Sequence, residues 1–283
     1  MSKLIMIMCL IFIQGCSNFY YYPSQGFFAD PKDYGITYES FSFKTEDGIK
    51  LNAWILHQSL RKTSKGTVLF FHGNAENLTS HWRHLGWMTE QGYDVFIFDY
   101  RGYGDSDGKP TPAGLHKDAL AALKEAYAWH LLNRGREFIV YAQSLGGTVA
   151  LDALPDFPNK NRISLIVADS TFASYTKVGA DKLASSWITW PLIPLAYVLL
   201  DNSRAPENKI KFLSPVPLLV IHGTNDTIVP MKFGEDIFAR ANEPKTFWTI
   251  ENGRHGDAFL SNERIYRTKF LDFLTKINPS KQL

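Results

Sequence analysis

The hydrophobic pattern changes period as the chain advances. From Ile36 onward, short runs rich in β-branched and aromatic residues alternate with longer stretches of helical character. Ile36 to Lys44 and Ile49 to Leu56 read as two strands joined across Glu46-Asp47-Gly48, a turn signal. Thr67 to Phe71, Val95 to Phe98, Phe138 to Tyr141, Ile163 to Ala168, Pro217 to Ile221 and Thr246 to Ile250 read as further strands. Helices are predicted over about 76–91 and 112–133, from Ser144 onward, and over 263–276. Fully apolar strands separated by helices imply an α/β fold: a mostly parallel, doubly wound sheet with helices on both faces. The first two strands would form an antiparallel pair at one edge. In such sheets ligands bind beyond the carboxyl ends of the strands, so the chemistry is expected just after each strand.

Two segments depart from this rhythm. More than forty residues separate the strand ending at Ala168 from the one starting at Pro217. They include an apolar run from Trp187 to Leu200, interrupted by Pro191 and Pro194. The stretch is too long for a plain connection and too broken for one helix. It is predicted to be a small cap, about 171–214. As a cap it could fold over the strand ends and line an acyl pocket. It could instead pack as extra core or lie against a membrane.

The second departure is the N-terminus. Lys3 precedes ten apolar residues, Leu4 to Ile13, about half of what a membrane span requires. A positive start, a short apolar run and a small residue before a cut describe a secretory signal. Ile13-Gln14-Gly15-Cys16 resembles a bacterial lipobox, in which Cys16 receives the lipid and becomes the mature N-terminus. The resemblance implies a signal peptide over 1–15, a tether over 16–33 and a hydrolase domain over 34–283. With Ser17 next, it also implies a lipid anchor in the bacterial cell envelope, at the outer membrane. The two cysteines, Cys9 and Cys16, both fall in this leader, so the folded part has no disulfide framework or cysteine metal site.

Charge adds little. The 30 Lys+Arg and 28 Asp+Glu nearly cancel, and no basic cluster gives the footprint of a nucleic-acid binder.

The chemistry gathers where the sheet argument places it. Ala142-Gln143-Ser144-Leu145-Gly146-Gly147 follows one strand and opens a helix, close to the G-x-S-x-G nucleophile elbow. Ala142 replaces the first glycine with the next smallest residue. Asp226 lies in His222-Gly223-Thr224-Asn225-Asp226, after one later strand. His255 lies in Gly253-Arg254-His255-Gly256-Asp257, after another. A serine hydroxyl needs a neighbouring base. Imidazole accepts and returns a proton near neutral pH, and a carboxylate fixes its tautomer. Ser144, Asp226 and His255 are therefore the candidate nucleophile, acid and base. Asp169, also just after a strand, competes with Asp226, while Asp257 is expected in solvent. The backbone N–H groups of Asn74, in His72-Gly73-Asn74-Ala75, and of Leu145 are the candidate oxyanion donors. Arg101, in Asp99-Tyr100-Arg101-Gly102-Tyr103-Gly104, reads as a structural anchor. His72 and His222 read as shaping their loops.

Together these motifs resemble the α/β-hydrolase superfamily, specifically its serine-aminopeptidase-like and prolyl-oligopeptidase-like domains. They span about 67–276 and imply a metal-free, cofactor-free serine hydrolase acting on small esters or thioesters. A peptidase of the same fold and a non-catalytic surface lipoprotein are the alternatives.

Overall fold

Alternate residues of the central strands feed two separate cores. Leu69, Phe71, Val140, Ala142, Ile166 and Ala168 belong to one. Val68, Phe70, Ile139, Tyr141, Leu165 and Val167 belong to the other. A strand buried on both faces has no polar register, which is why these segments read as unbroken apolar runs.

The protein, seen as a computed structural model, is described over residues 21–59, 64–260 and 263–277. Its strands are β1 (Tyr38–Lys44), β2 (Lys50–Leu56), β3 (Gly66–Phe71), β4 (Tyr93–Phe98), β5 (Glu137–Gln143), β6 (Leu165–Asp169), β7 (Leu218–Gly223) and β8 (Lys245–Ile250). They form one sheet of order β1-β2-β4-β3-β5-β6-β7-β8. β2 pairs antiparallel with both β1 and β4, and every pairing from β4 through β8 is parallel. The antiparallel edge and parallel body match the pattern read from the sequence.

The first core lies under α2 (Pro112–Leu132) and α3 (Leu145–Ala153). Thr111 caps α2, its hydroxyl accepting from Gly114 N–H at 3.0 Å, with Pro112 at the first helical position. The second core lies under Leu78, Trp82, Leu85 and Met88, and under Phe270 and Leu274 of α7 (Glu263–Ile277).

Two local expectations change. The stretch over 76–91 is one short helical turn, α1 (Leu78–His81), followed by 3₁₀ turns at Trp82–His84 and Gly86–Gln91. A side chain at Gly86 would collide with the Trp82 ring, so the turns tighten around a large buried indole. The helix α6 (Lys232–Arg240) between β7 and β8 was not anticipated; it buries Phe233, Gly234 and Ile237.

The segment between β6 and β7 carries α4 (Tyr175–Ala184), a 3₁₀ turn at Trp190–Leu192 and α5 (Ile193–Leu199). Its apolar run is not core. Trp187 is 83% exposed, Trp190 66% and Val198 77%, while Ala196 alone is buried within α5. These side chains face outward, so they do not line an enclosed pocket either. Cys16 and the rest of the leader lie outside the described residues.

Candidate active site

The site is assembled from four strand ends. β5 lies between β3 and β6, with Ala142 registered against both Phe71 and Ala168. Ser144 therefore rises between the loops that follow β3 and β6. Its φ of 53° and ψ of −121° put a non-glycine residue in a left-handed region, as a sharp strand-to-helix turn requires. Two contacts hold the turn: Ser144 N–H donates to Asp169 O at 2.9 Å, and Thr171 Oγ1 donates to Ser144 O at 2.5 Å. A Cβ on Gly146 would strike the Phe71 and His72 carbonyls, and one on Gly147 would strike Thr171. Both glycines let α3 sit directly against β3 and the β6 loop.

Asp226 and His255 come from loops that interlock. Thr224 N–H donates to Ile250 O at 3.1 Å, Asn225 N–H to Gly253 O at 2.9 Å, and Asn252 N–H to Thr224 Oγ1 at 2.8 Å. A Cβ on Gly223 would meet the Gly253 carbonyl, so glycine there permits the close approach.

The structure brings the three expected residues into line. His255 Nε2 is 3.0 Å from Ser144 Oγ, and His255 Nδ1 is 2.7 Å from Asp226 Oδ2. With the carboxylate as acceptor, the proton belongs on Nδ1, and Nε2 is left to accept from the serine hydroxyl. Asp226 Oδ1 accepts from the N–H groups of Ile228 and Val229 at 2.9 and 2.8 Å. Burial alone would raise its pKa, but hydrogen bonds from His222 and His255 outweigh it and hold the carboxyl far below its ordinary range. Asp226 thus stays ionised at neutral pH.

Asp169 is bonded elsewhere. Tyr141 Oη donates to its Oδ2 at 2.6 Å and Ser170 Oγ to its Oδ1 at 2.9 Å. Burial raises its pKa. It supports the elbow through its backbone carbonyl, which accepts from Ser144 N–H. Asp257, expected in solvent, is buried and reaches Arg254 Nε at 3.6 Å.

Both residues assigned to the oxyanion flank Ser144. Leu145 is the first residue of α3, where an N–H has no intrahelical partner. Asn74 follows Gly73, whose Cβ position would lie 3.6 Å from Ser144 Cβ. The Asn74 side chain is occupied with the loop: Oδ1 accepts from Tyr103 Oη at 2.7 Å, Ala75 N–H at 3.0 Å and Tyr22 N–H at 3.0 Å. Arg101 anchors the neighbouring loop as expected. Its Nε donates to Asp118 at 2.9 Å, and Nη1 and Nη2 each donate to Asp47 at 3.1 Å.

Several polar neighbours do more than the sequence indicated. His222 Nε2 donates to Val229 O at 2.7 Å and lies 3.4 Å from Asp226, so it braces the acid as well as its loop. Gln143 Nε2 donates to Gly256 O at 3.1 Å and lies 3.3 Å from His84 Nδ1. His72, His81 and His84 form a stacked row, with ring centroids 4.9 and 5.7 Å apart. Burial, then the neighbouring imidazoles, pushes His81 well below 6.5. Burial, then Arg83 and His255, lowers His84 to about 4. His81 and His84 are therefore neutral near pH 7. Among the described residues, no group of three or more His, Cys, Asp or Glu could hold a metal ion.

Residues 62–214 match the family described as serine aminopeptidase, S33. By sequence, the chain is 36% identical over 269 residues to the Uncharacterized protein YfhR of Escherichia coli K12, covering 93% of this chain and 88% of that one. It is 30% identical over 264 residues to the alpha/beta hydrolase domain-containing protein WAV2 of Arabidopsis thaliana, covering 89% and 83%. By structure, it superposes on the Pyrococcus furiosus esterase Pf2001 with a TM-score of 0.68 and 23% identity, covering 91% and 97%. The esterase EaEST of Exiguobacterium antarcticum gives a TM-score of 0.61 at 17% identity, covering 84% and 100%.

Proposed function

The chain belongs to the serine aminopeptidase S33 family of α/β-hydrolases, and from that premise we propose that it cleaves carboxylic esters or thioesters through an acyl-Ser144 intermediate. The observation that carries this reading is the unbroken line from Asp226 through His255 to Ser144 Oγ.

Ser144 Oγ attacks the acyl carbon while His255 Nε2 takes its proton. Asp226 holds the ring in the required tautomer and stabilises the imidazolium. The N–H groups of Leu145 and Asn74 receive the negative charge of the tetrahedral intermediate, each worth about 2.7–4 kcal/mol in comparable sites. His255 then protonates the departing alcohol or thiol. Water, deprotonated by the same imidazole, releases the acid and restores the serine.

A peptidase of this fold would need an acidic group to hold a peptide amine. In the cap, Asp181 is paired with Lys232, and Glu207 with Lys177 at 2.6 Å. The third acid, Asp201, accepts from Ser203 N–H at 2.9 Å. Two of the three charges are engaged and no acidic cluster forms among them, which favours the ester reading. The non-catalytic alternative is tested directly. A fluorophosphonate probe should label the protein, and Ser144→Ala should abolish both labelling and p-nitrophenyl ester turnover while circular dichroism stays native. Turnover surviving in that variant would remove Ser144 from its role. A chain-length series of p-nitrophenyl esters then gives the acyl preference.

For the N-terminus the proposal is a lipid tether at Cys16 in the bacterial cell envelope, at the outer membrane. Cys16→Ala should shift the protein from the detergent-soluble membrane fraction to the aqueous one, or leave unprocessed precursor. Unchanged fractionation with unchanged processing would end that reading.

A further inference from the structure

The cap exposes an apolar surface that neither core nor catalysis uses. From Leu183 to Leu200 the chain has no charged residue. A stretch of that composition is normally buried. Here Trp187, Ile188, Trp190 and Val198 are each 66% or more exposed, and Tyr197 is 58% exposed. Contiguous apolar surface of this kind marks an interaction site. The segment cannot be a membrane span, because Pro191 and Pro194 divide it and α5 has only seven residues.

Tyr21, close in sequence to Cys16, indicates what covers this surface. Tyr21 is buried and hydrogen-bonded with Tyr175, the first residue of α4. Tyr21 thus marks a point at the root of the cap. Cys16 is five residue steps from Tyr21, so it lies within roughly 17 Å of that point. α4 has ten residues, about 15 Å from root to tip. A lipid attached at Cys16 would keep a bilayer within reach of the cap's outer face.

We propose that the outer face of the cap, Trp187 to Leu199, docks on the surface of a lipid bilayer. Two tryptophans and a tyrosine suit that position, since their rings are apolar with one polar edge and collect at the headgroup level. Apolar side chains here would sit roughly 5–10 Å into the headgroup–acyl boundary, with the short helices parallel to the membrane. The inference rests on the tether reading of the N-terminus and not on the hydrolytic one.

The test reads the indoles themselves. The full chain is reconstituted in phosphatidylethanolamine–phosphatidylglycerol vesicles with brominated acyl chains. The emission of a Trp187→Phe, Trp190→Phe double variant is subtracted from that of the unaltered protein. Both side chains are exposed, so the variant keeps its fold. Docking predicts that brominated lipid quenches the difference emission by about half or more, because rings at that depth meet the bromines. Aqueous acrylamide should quench it weakly. Difference emission open to acrylamide and untouched by bromine overturns the docking alone. Shielding from both quenchers also overturns it, since a second copy or the leader would then cover the face. Failure of the protein to associate with the vesicles overturns docking and tether together.

Discussion

At the scale of single residues, the two carboxylates that follow neighbouring strands differ in what holds them. Asp226 accepts from two backbone N–H groups and from His255, whereas Asp169 accepts from Tyr141 and Ser170. Asp226→Asn should lower kcat by about four orders of magnitude, because the amide favours the wrong imidazole tautomer, with KM little changed. Asp169→Asn should reduce thermal stability more than turnover. Steady-state kinetics and melting curves on the pair check this, and the reverse pattern would exchange their roles. The neutral imidazoles make a second prediction. His84 titrates at about 4 in the folded protein against an ordinary 6.5. Between those values the unfolded chain binds the extra proton, so stability falls as pH falls through that window and is fully present above it. His84→Gln should flatten the acid limb of a plot of unfolding free energy against pH. An unchanged slope would place the acid sensitivity elsewhere. Ser144, Asp226 and His255 were legible because each sits at a fixed offset from a strand end. His84 was not, since it meets Gln143 only through the packing of elements 59 residues apart.

At the scale of elements, the strands were legible because burial on both faces writes itself as apolar runs. The segment over 76–91 was less so: its composition suits a helix, but fitting Trp82 against Gly86 favours tight turns. The helix α6 escaped notice because only Phe233 and Ile237 mark its buried side in a polar stretch. The loop after β4 shows how one side chain can join elements. Arg101 links that loop to Asp118 of α2 and to Asp47 in the β1–β2 turn. Burial raises the Asp118 pKa to about 6 even with the guanidinium beside it. Arg101→Met would leave that carboxyl without its partner, and should cost about 3–5 kcal/mol in urea unfolding at pH 8. The loss should shrink toward pH 5, where Asp118 can take a proton. A cost independent of pH would mean that packing, not charge, is what the arginine supplies.

At the scale of the whole molecule, three features converge on one side: the strand ends bearing Ser144, Asp226 and His255, the root of the segment between β6 and β7, and residues 21–29. The sequence announced the first two separately, but their convergence depends on the path of residues 21–29. Those residues run across the oxyanion loop. Tyr22 N–H donates to Asn74, Gly104 N–H donates to Ser24 O, and Asn77 Nδ2 donates to Ser24 O and Gly26 O at 2.9 and 2.7 Å. Phe28 N–H donates to Thr79 Oγ1 at 3.1 Å, and Trp82 Nε1 to Ala29 O at 3.2 Å. A chain beginning at Pro31 should therefore fold, melt at a lower temperature, and turn over ester about tenfold to a hundredfold more slowly, since small displacements of oxyanion donors are costly. Equal kcat in the shortened and full chains would show that the strap is only a cover. The strap also has a mechanical meaning. The proposed tether at Cys16 would transmit traction, and beyond the Tyr21–Tyr175 contact that traction would meet the fastenings on Asn74, Asn77 and Gly104 before the sheet. Tension on the proposed anchor would thus be borne in shear by the loop carrying Asn74, the proposed oxyanion donor, so membrane drag and catalytic geometry would share one load path.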